Sequence, residues 1–230
     1  MMHNRANHVW IVALSAVLVG GCRTTTDTHS QDPPLRVASL TIRAPVTSWQ
    51  SLKEENVVMQ QLDFSCGASA LASLIRYYFG DPVTEDDIVR DILDALPEEE
   101  VDKRQEDGLS LLDLKQCAQR LGYQAVGARM PFSKLASLPG PVLVHMVREE
   151  YRHFSILRGV QGATVQLADP SRGNIRLASA RFQKEWTGVA LVLGKPGFGL
   201  PDETPLSPDD SRSILYEHVP ESHARIRGLR

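Results

Sequence analysis

The sequence predicts an α+β fold in which helices pack on a mainly antiparallel sheet. Three observations predict it. Helix caps followed by apolar stripes concentrate between residues 65 and 122. Short apolar runs punctuated by Gly or Pro dominate between 123 and 193. The composition, 42% apolar and 23% charged over 230 residues, is that of a chain able to bury a core, with no internal repeat.

The elements follow in chain order. Residues 1–8 are polar, and Val9–Val19 is apolar apart from Ser15. Eleven helical residues rise about 16 Å, roughly half a hydrocarbon core. That length suits a signal-peptide core, with a short anchor helix as the alternative. Residues 23–34 hold no apolar side chain except two prolines and read as a solvated tether. Val37–Ile42 alternates as a strand. Ser65 is placed to cap a helix through Ala68, Leu71, Leu74, Ile75 and Tyr78, stopped by Gly80-Asp81-Pro82. Thr84-Glu85-Asp86-Asp87 forms a capping box ahead of the stripe Ile88, Ile92, Leu93. Twelve acidic and three basic residues fall within 81–107 and read as solvated surface. Ser110 caps a helix with Leu111, Leu114, Cys117, Ala118 and Leu121 on one side and Gly122 as its stop.

Strands are expected at Tyr123–Ala128, Pro141–Val147, His153–Val160, Thr164–Ala168 and Gly188–Leu193, with a short helix within 177–186. From Lys195 the apolar density falls and prolines recur, so 195–230 reads as an appendage. The predicted organisation is a signal peptide over 1–21, a tether over 22–35, a main domain over 36–194 and the appendage over 195–230.

Net charge is −3, which leaves no basic excess for phosphates and excludes nucleic acid as the expected partner. Three cysteines cannot supply a Cys-only zinc site. No metal or cofactor is expected, since Cys66, His153, His145 and Asp169 lack close metal-ligand spacings.

Cys66 opens its predicted helix after the polar stretch Gln60-Gln61-Leu62-Asp63-Phe64-Ser65. A helix N-terminus carries partial positive charge and unpaired N–H groups, which stabilise a thiolate and can donate to an oxyanion. Gly67 is expected to leave space beside the sulfur for substrate. A free cysteine is as often simply buried, but His153 starts one strand and Asp169 ends the next, sixteen residues on. Antiparallel pairing places them side by side, as an imidazole and its orienting carboxylate require. Cys117, on an apolar stripe, reads as structural, although a Cys66–Cys117 disulfide is conceivable in an oxidising compartment. His145, inside a strand, reads as a core histidine, and Trp186 as core.

The pattern Gln-x5-Cys-Gly-x-x-Ala-Leu, then His-Phe, then Asp-Pro, resembles the C39 peptidases over residues 55–194. The resemblance implies a papain-like cysteine peptidase fold. It implies Cys66 as nucleophile, His153 as general base and acid, Asp169 as its orienter and Gln60 as oxyanion donor, with the adjacent Gln61 the weaker candidate. Cleavage after paired glycines is a trait of that family. The segment Leu18-Val19-Gly20-Gly21-Cys22 resembles a bacterial lipobox. It implies lipidation of Cys22, a membrane anchor and a site facing the periplasm, on the outer membrane in a Gram-negative host because Arg23 is not Asp. A plain signal peptide is the alternative.

The expected partner is therefore a polypeptide substrate. The layout, without transporter segments, is similar to stand-alone C39-like proteins that accompany functional-amyloid secretion. Two rivals remain at this stage: an accessory lipoprotein that binds a secretion partner without hydrolysis, and an amidase or acyltransferase of the same fold.

Overall fold

The computed structural model describes residues 35–37, 40–42, 47–149 and 151–208. Contacts divide the chain at Val46/Thr47. In the first unit β1 (Leu35–Val37) and β2 (Leu40–Ile42) pair antiparallel, with Val37 opposite Leu40. The sequence suggested one strand here. Six alternating residues fit a single strand or a tight hairpin equally well, and the pairing is what separates them. The leader, Cys22 and the tether up to residue 34 lie outside the described residues, and Leu35, the tether's last residue, opens β1.

The second unit begins with five helices: α1 (Trp49–Glu54), α2 (Cys66–Tyr78), α3 (Glu85–Asp94), α4 (Glu98–Asp107) and α5 (Leu111–Arg120). Then come β3 (Gln124–Arg129), α6 (Phe132–Ala136), β4 (Val142–Arg148), β5 (Tyr151–Gln161), β6 (Thr164–Asp169), β7 (Gly173–Ala178), α7 (Ser179–Glu185) and β8 (Trp186–Gly194). The six strands form one antiparallel sheet in the order β3-β8-β4-β5-β6-β7. Three successive hairpins build β4 to β7, and β8 returns to lie between β3 and β4.

Both faces of the sheet are covered, which is why Val142-Leu143-Val144 is apolar without alternation. Leu143, Phe154, Ile156 and Leu191 face the core made with α2, α3 and α5. Val142, Val144, Leu157, Leu167 and Ile175 face a second core closed by Leu135 of α6, Phe182 of α7 and Trp186. The helix α2 is buried from Cys66 to Ile75. Its small residues permit that depth, and the hydroxyls of Ser69 and Ser73 bond to carbonyls four residues back, at 3.2 and 2.8 Å. The predicted capping boxes are present at Thr84/Asp87 and Ser110/Asp113.

Gly173 opens β7 with φ +76°, and a Cβ there would stand 2.2 Å from the Lys53 carbonyl oxygen. Glycine is required where the chain turns from Asp169 under the end of α1. Residues 195–208 have no regular element, but they pack: Leu206 is fully buried, Lys195 pairs with Asp81 at 2.7 Å, and Phe198 lies against Tyr78 and Phe79. Arg158 fastens this strap by donating to the carbonyls of Pro205, Leu206 and Ser207. Among the described residues no helix is long and apolar enough to cross a membrane.

Candidate active site

The loop before α2 is tied at both ends. Gln60 N–H donates to the Pro170 carbonyl at 2.9 Å, and Gln61 N–H donates to the Glu85 carboxylate at 3.1 and 3.2 Å. Ser65 stands at the N-cap position, as the sequence predicts, but its hydroxyl makes no capping bond. Its hydroxyl instead accepts from Leu62 N–H at 3.3 Å and turns its proton towards the Leu62 carbonyl and the buried Glu85 carboxylate. The first helical hydrogen bond runs from Ser69 N–H to Ser65 O, so α2 itself uses none of the N–H groups of Cys66, Gly67 and Ala68. Cys66 sits among these donors, 6% exposed.

Gly67 does not open space for substrate. A Cβ at Gly67 would lie 2.9 Å from Leu114 and 3.1 Å from Phe154, so the glycine lets α2 approach α5 and β5. This corrects the sequence expectation: the residue beside the sulfur faces the core.

His153, Ser155 and Tyr151 share one face of β5 by strand alternation. His153 Nε2 is 3.0 Å from Asp169 Oδ2. Ser155 Oγ donates to the same oxygen at 2.9 Å, and Arg172 reaches it with Nη2 at 2.8 Å and Nε at 3.2 Å. Oδ1 accepts from Ser171 N–H and hydroxyl and from Arg172 N–H, at 3.0, 2.8 and 3.0 Å. Burial opposes ionisation of Asp169, but His153 and Arg172 hold the carboxyl well below the usual range. Burial likewise opposes a charged His153. Asp169, by hydrogen bond and charge, and the neighbouring Cys66 outweigh that and push its pKa up to about 9. With Nε2 turned to Asp169, Nδ1 is the nitrogen left free, buried and without a hydrogen-bond partner among the described residues.

Gln60 completes the cluster. Its Nε2 donates weakly to the Leu62 carbonyl at 3.3 Å, and its Oε1 is buried and unpaired. The Gln61 side chain is exposed. Sequence reasoning missed Tyr151, whose ring stacks on His153 at 5.9 Å, although its place two residues before His153 on a strand was a usable signal. It also missed Ser155, Arg172 and Glu85, which touch the site through Asp169 or the loop.

The other candidates stay apart. His145 Nδ1–H donates to Thr187 Oγ at 3.1 Å, and burial, then the charges of Arg152 and His153, lower its pKa. Cys117 is fully buried, and burial followed by Asp91 pushes its thiol up. Both Cys66 and Cys117 are free thiols. Among the described residues no group of three or more His, Cys, Asp or Glu side chains is arranged to hold a metal. A cleft of about 380 Å³ opens beside Cys66, between the α4–α5 junction and strands β4, β5 and β8.

A peptidase C39 family model matches residues 54–196. The chain belongs to the peptidase C39 family. It is 34% identical over 182 residues to the probable functional amyloid protease FapD of Pseudomonas aeruginosa, across 77% of this chain and 79% of that protein. A double glycine motif protease from an AMS/PCAT transporter, solved in complex with the leader peptide, matches with TM-score 0.50 and 27% identity over 60% of this chain and 89% of that one. The peptidase domain of Streptococcus ComA shares the fold at TM-score 0.53 and 22% identity, over 62% of this chain and 99% of that domain. The C39 chain described here is thus a cysteine peptidase of papain-like fold, as its Gln, Cys, His and Asp spacing led one to expect.

Proposed function

We propose that this C39 peptidase cleaves a peptide bond in a secreted protein of a functional-amyloid system, after small residues such as Gly-Gly. The observation that carries the mechanism is His153, bound through Nε2 to Asp169 with Nδ1 buried and unpartnered, in the electrostatic neighbourhood of Cys66 at the start of α2. The FapD-like sequence and the leader-bound relative support the substrate class.

In this reading the Cys66 thiolate attacks the carbonyl carbon. The Gln60 amide and the Cys66 N–H hold the oxyanion. The His153 imidazolium gives its Nδ1 proton to the leaving amine, and the C–N bond breaks to leave a thioester on Cys66. Neutral Nδ1 then takes a proton from water, whose oxygen attacks the thioester; the C–S bond breaks, the carboxylic acid leaves, and the Cys66 thiolate and His153 imidazolium are restored. Asp169 accepts from Nε2 throughout and keeps Nδ1 aimed at the sulfur.

Substituting Gln60 tests the oxyanion assignment. Gln60→Ala should lower kcat by about 10²–10³-fold with a smaller change in KM, because the oxyanion exists only after attack. Gln61→Ala should change kcat by less than about threefold, since only its backbone is engaged. Steady-state kinetics on a Gly-Gly peptide decides, and a larger loss at Gln61 would move the role one residue along.

The lipobox-like segment supports a tether through Cys22 on the periplasmic face of a membrane. Intact mass of protein purified from membranes should give a chain that starts at a diacylglycerol-modified Cys22. An unmodified chain starting elsewhere removes the anchor from the proposal.

A further inference from the structure

Glu85 is a buried acid that the mechanism above does not use. It is 4% exposed and forms no ion pair among the described residues. As the first residue of α3 it sits at the positive end of that helix, which favours a carboxylate without a cation. Both of its oxygens accept from Gln61 N–H, at 3.1 and 3.2 Å, and Oε1 also meets the Ser65 hydroxyl. A buried carboxylate costs stability unless its hydrogen bonds are made, so these partners are where the group acts.

The two partners bracket the loop that carries both oxyanion donors. Gln60 precedes Gln61, and Cys66 follows Ser65. The Gln60 side chain is poorly held by itself, with one weak bond of 3.3 Å from Nε2 and no partner for its buried Oε1. Its place is therefore inherited from the backbone on either side. Gln60 N–H is fixed by the Pro170 carbonyl at 2.9 Å, and Gln61 N–H by Glu85. At the far end the Ser65 carbonyl accepts the first bond of α2, from Ser69 N–H at 3.0 Å, while the Ser65 hydroxyl meets Glu85. One carboxylate thus ties the residue after the first donor to the residue before the second.

We infer that Glu85 is a positioning residue for the oxyanion hole: its carboxylate clamps Gln61 N–H and the Ser65 hydroxyl, and so sets the Gln60 amide and the Cys66 N–H at a fixed spacing. This rests on the peptidase reading above and names what holds its oxyanion donors. Glu85 acts through the loop and not on the reacting atoms. Such donors work because they are in place before charge develops, and about 1 Å of misplacement costs about a hundredfold.

The test is Glu85→Gln in the full chain. The neutral amide has one oxygen and presents N–H where the second acceptor stood, so the clamp keeps one arm. On a Gly-Gly peptide kcat should fall about 10–100-fold, and KM should change by less than about threefold. Alkylation of Cys66 by iodoacetamide should change by less than about twofold, because the sulfur displaces iodide from a saturated carbon and no oxyanion forms. Ser65→Ala cuts only the hydroxyl arm and should show the same pattern with a loss of about 3–10-fold. It carries the test if the melting temperature shows Glu85→Gln unfolded. In the Gln60→Ala background Glu85→Gln should cost less than about threefold further, since the side-chain donor it places is gone.

A folded Glu85→Gln, or in its place Ser65→Ala, with the parent kcat overturns the inference, because a purely structural clamp lowers melting alone. So do equal losses in kcat and alkylation, which mean a disordered site, and losses at Glu85 and Gln60 that multiply in full. In each of these cases Cys66-dependent cleavage leaves the peptidase reading standing. If Gln60→Ala itself keeps the parent kcat, the oxyanion assignment falls, and the inference with it.

Discussion

Cys66→Ala removes turnover. The loss should be at least about 10⁴-fold, down to assay background, because no other group at the site can form the thioester. Cys117 cannot substitute: it is fully buried on α5, and burial, then Asp91, pushes its thiol away from ionisation. Under native, reducing conditions an alkylating reagent should therefore modify Cys66 and leave Cys117 intact, with peptide mass spectrometry locating the adduct. Folding should survive the substitution, since alanine keeps the start of α2 and removes one sulfur atom at the rim of the core. Unchanged melting together with lost cleavage identifies the nucleophile. Cleavage that persists in Cys66→Ala, or faster labelling at Cys117, removes Cys66 from that role.

What the sequence revealed depended on the strength of local signals. Capping boxes at Thr84 and Ser110 fixed the starts of α3 and α5, and Gly80 and Gly122 the ends of α2 and α5, because those signals are chemical and local. The hairpin strands β4 to β6 were legible as apolar runs between turns. The helix α4 was not, because nothing on it is buried and it has no apolar stripe. The helices α1 and α6 are six and five residues long, too short for a period to show. The strand β7 carries only Ile175 and Leu177 inward.

The placement of His153 beside Asp169 was readable from strand spacing, since register in a hairpin follows from its turn. The surroundings of Asp169 were not. Ser155 and Arg172 come to it through the β5–β6 register and the turn after Asp169, and sequence alone gives no reason to rank them above other polar neighbours. The reading of Gly67 failed for a related reason. A glycine beside a nucleophile serves ligand access or helix packing equally well, and only the positions of Leu114 and Phe154 decide.

Asp169→Asn should cost both activity and stability, in pH windows set by the two groups it joins. In the parent chain the His153 pKa stands at about 9 against 6.5 for a free imidazole. The imidazolium that protonates the leaving amine is thus present below about 9 and lost above it, so kcat/KM should fall as pH rises through about 9. Asparagine removes the charge that opposes the burial penalty on the ring. The His153 pKa then drops and the basic limb of the profile moves to lower pH. The side-chain amide can also present N–H to Nε2 and favour the wrong tautomer, so kcat at neutral pH should fall by about 10²–10⁴-fold. Stability follows the same linkage. His153, with its raised pKa, stabilises the fold fully below 6.5, and that contribution is lost as pH rises through about 9. Asp169, with its depressed pKa, stabilises the fold above the ordinary carboxylate value of 3.8, and that contribution is lost only as pH falls through its lower folded value. Between these limits, at pH 5–7, the substitution breaks a buried pair and leaves His153, Ser155 and Arg172 short of an acceptor. It should destabilise by about 3–5 kcal/mol. Denaturant unfolding at pH 5, 7 and 9.5, run beside the pH–rate profile, measures both. If the basic limb of Asp169→Asn coincides with that of the parent while stability falls, Asp169 is a structural anchor and something other than its charge sets the His153 proton.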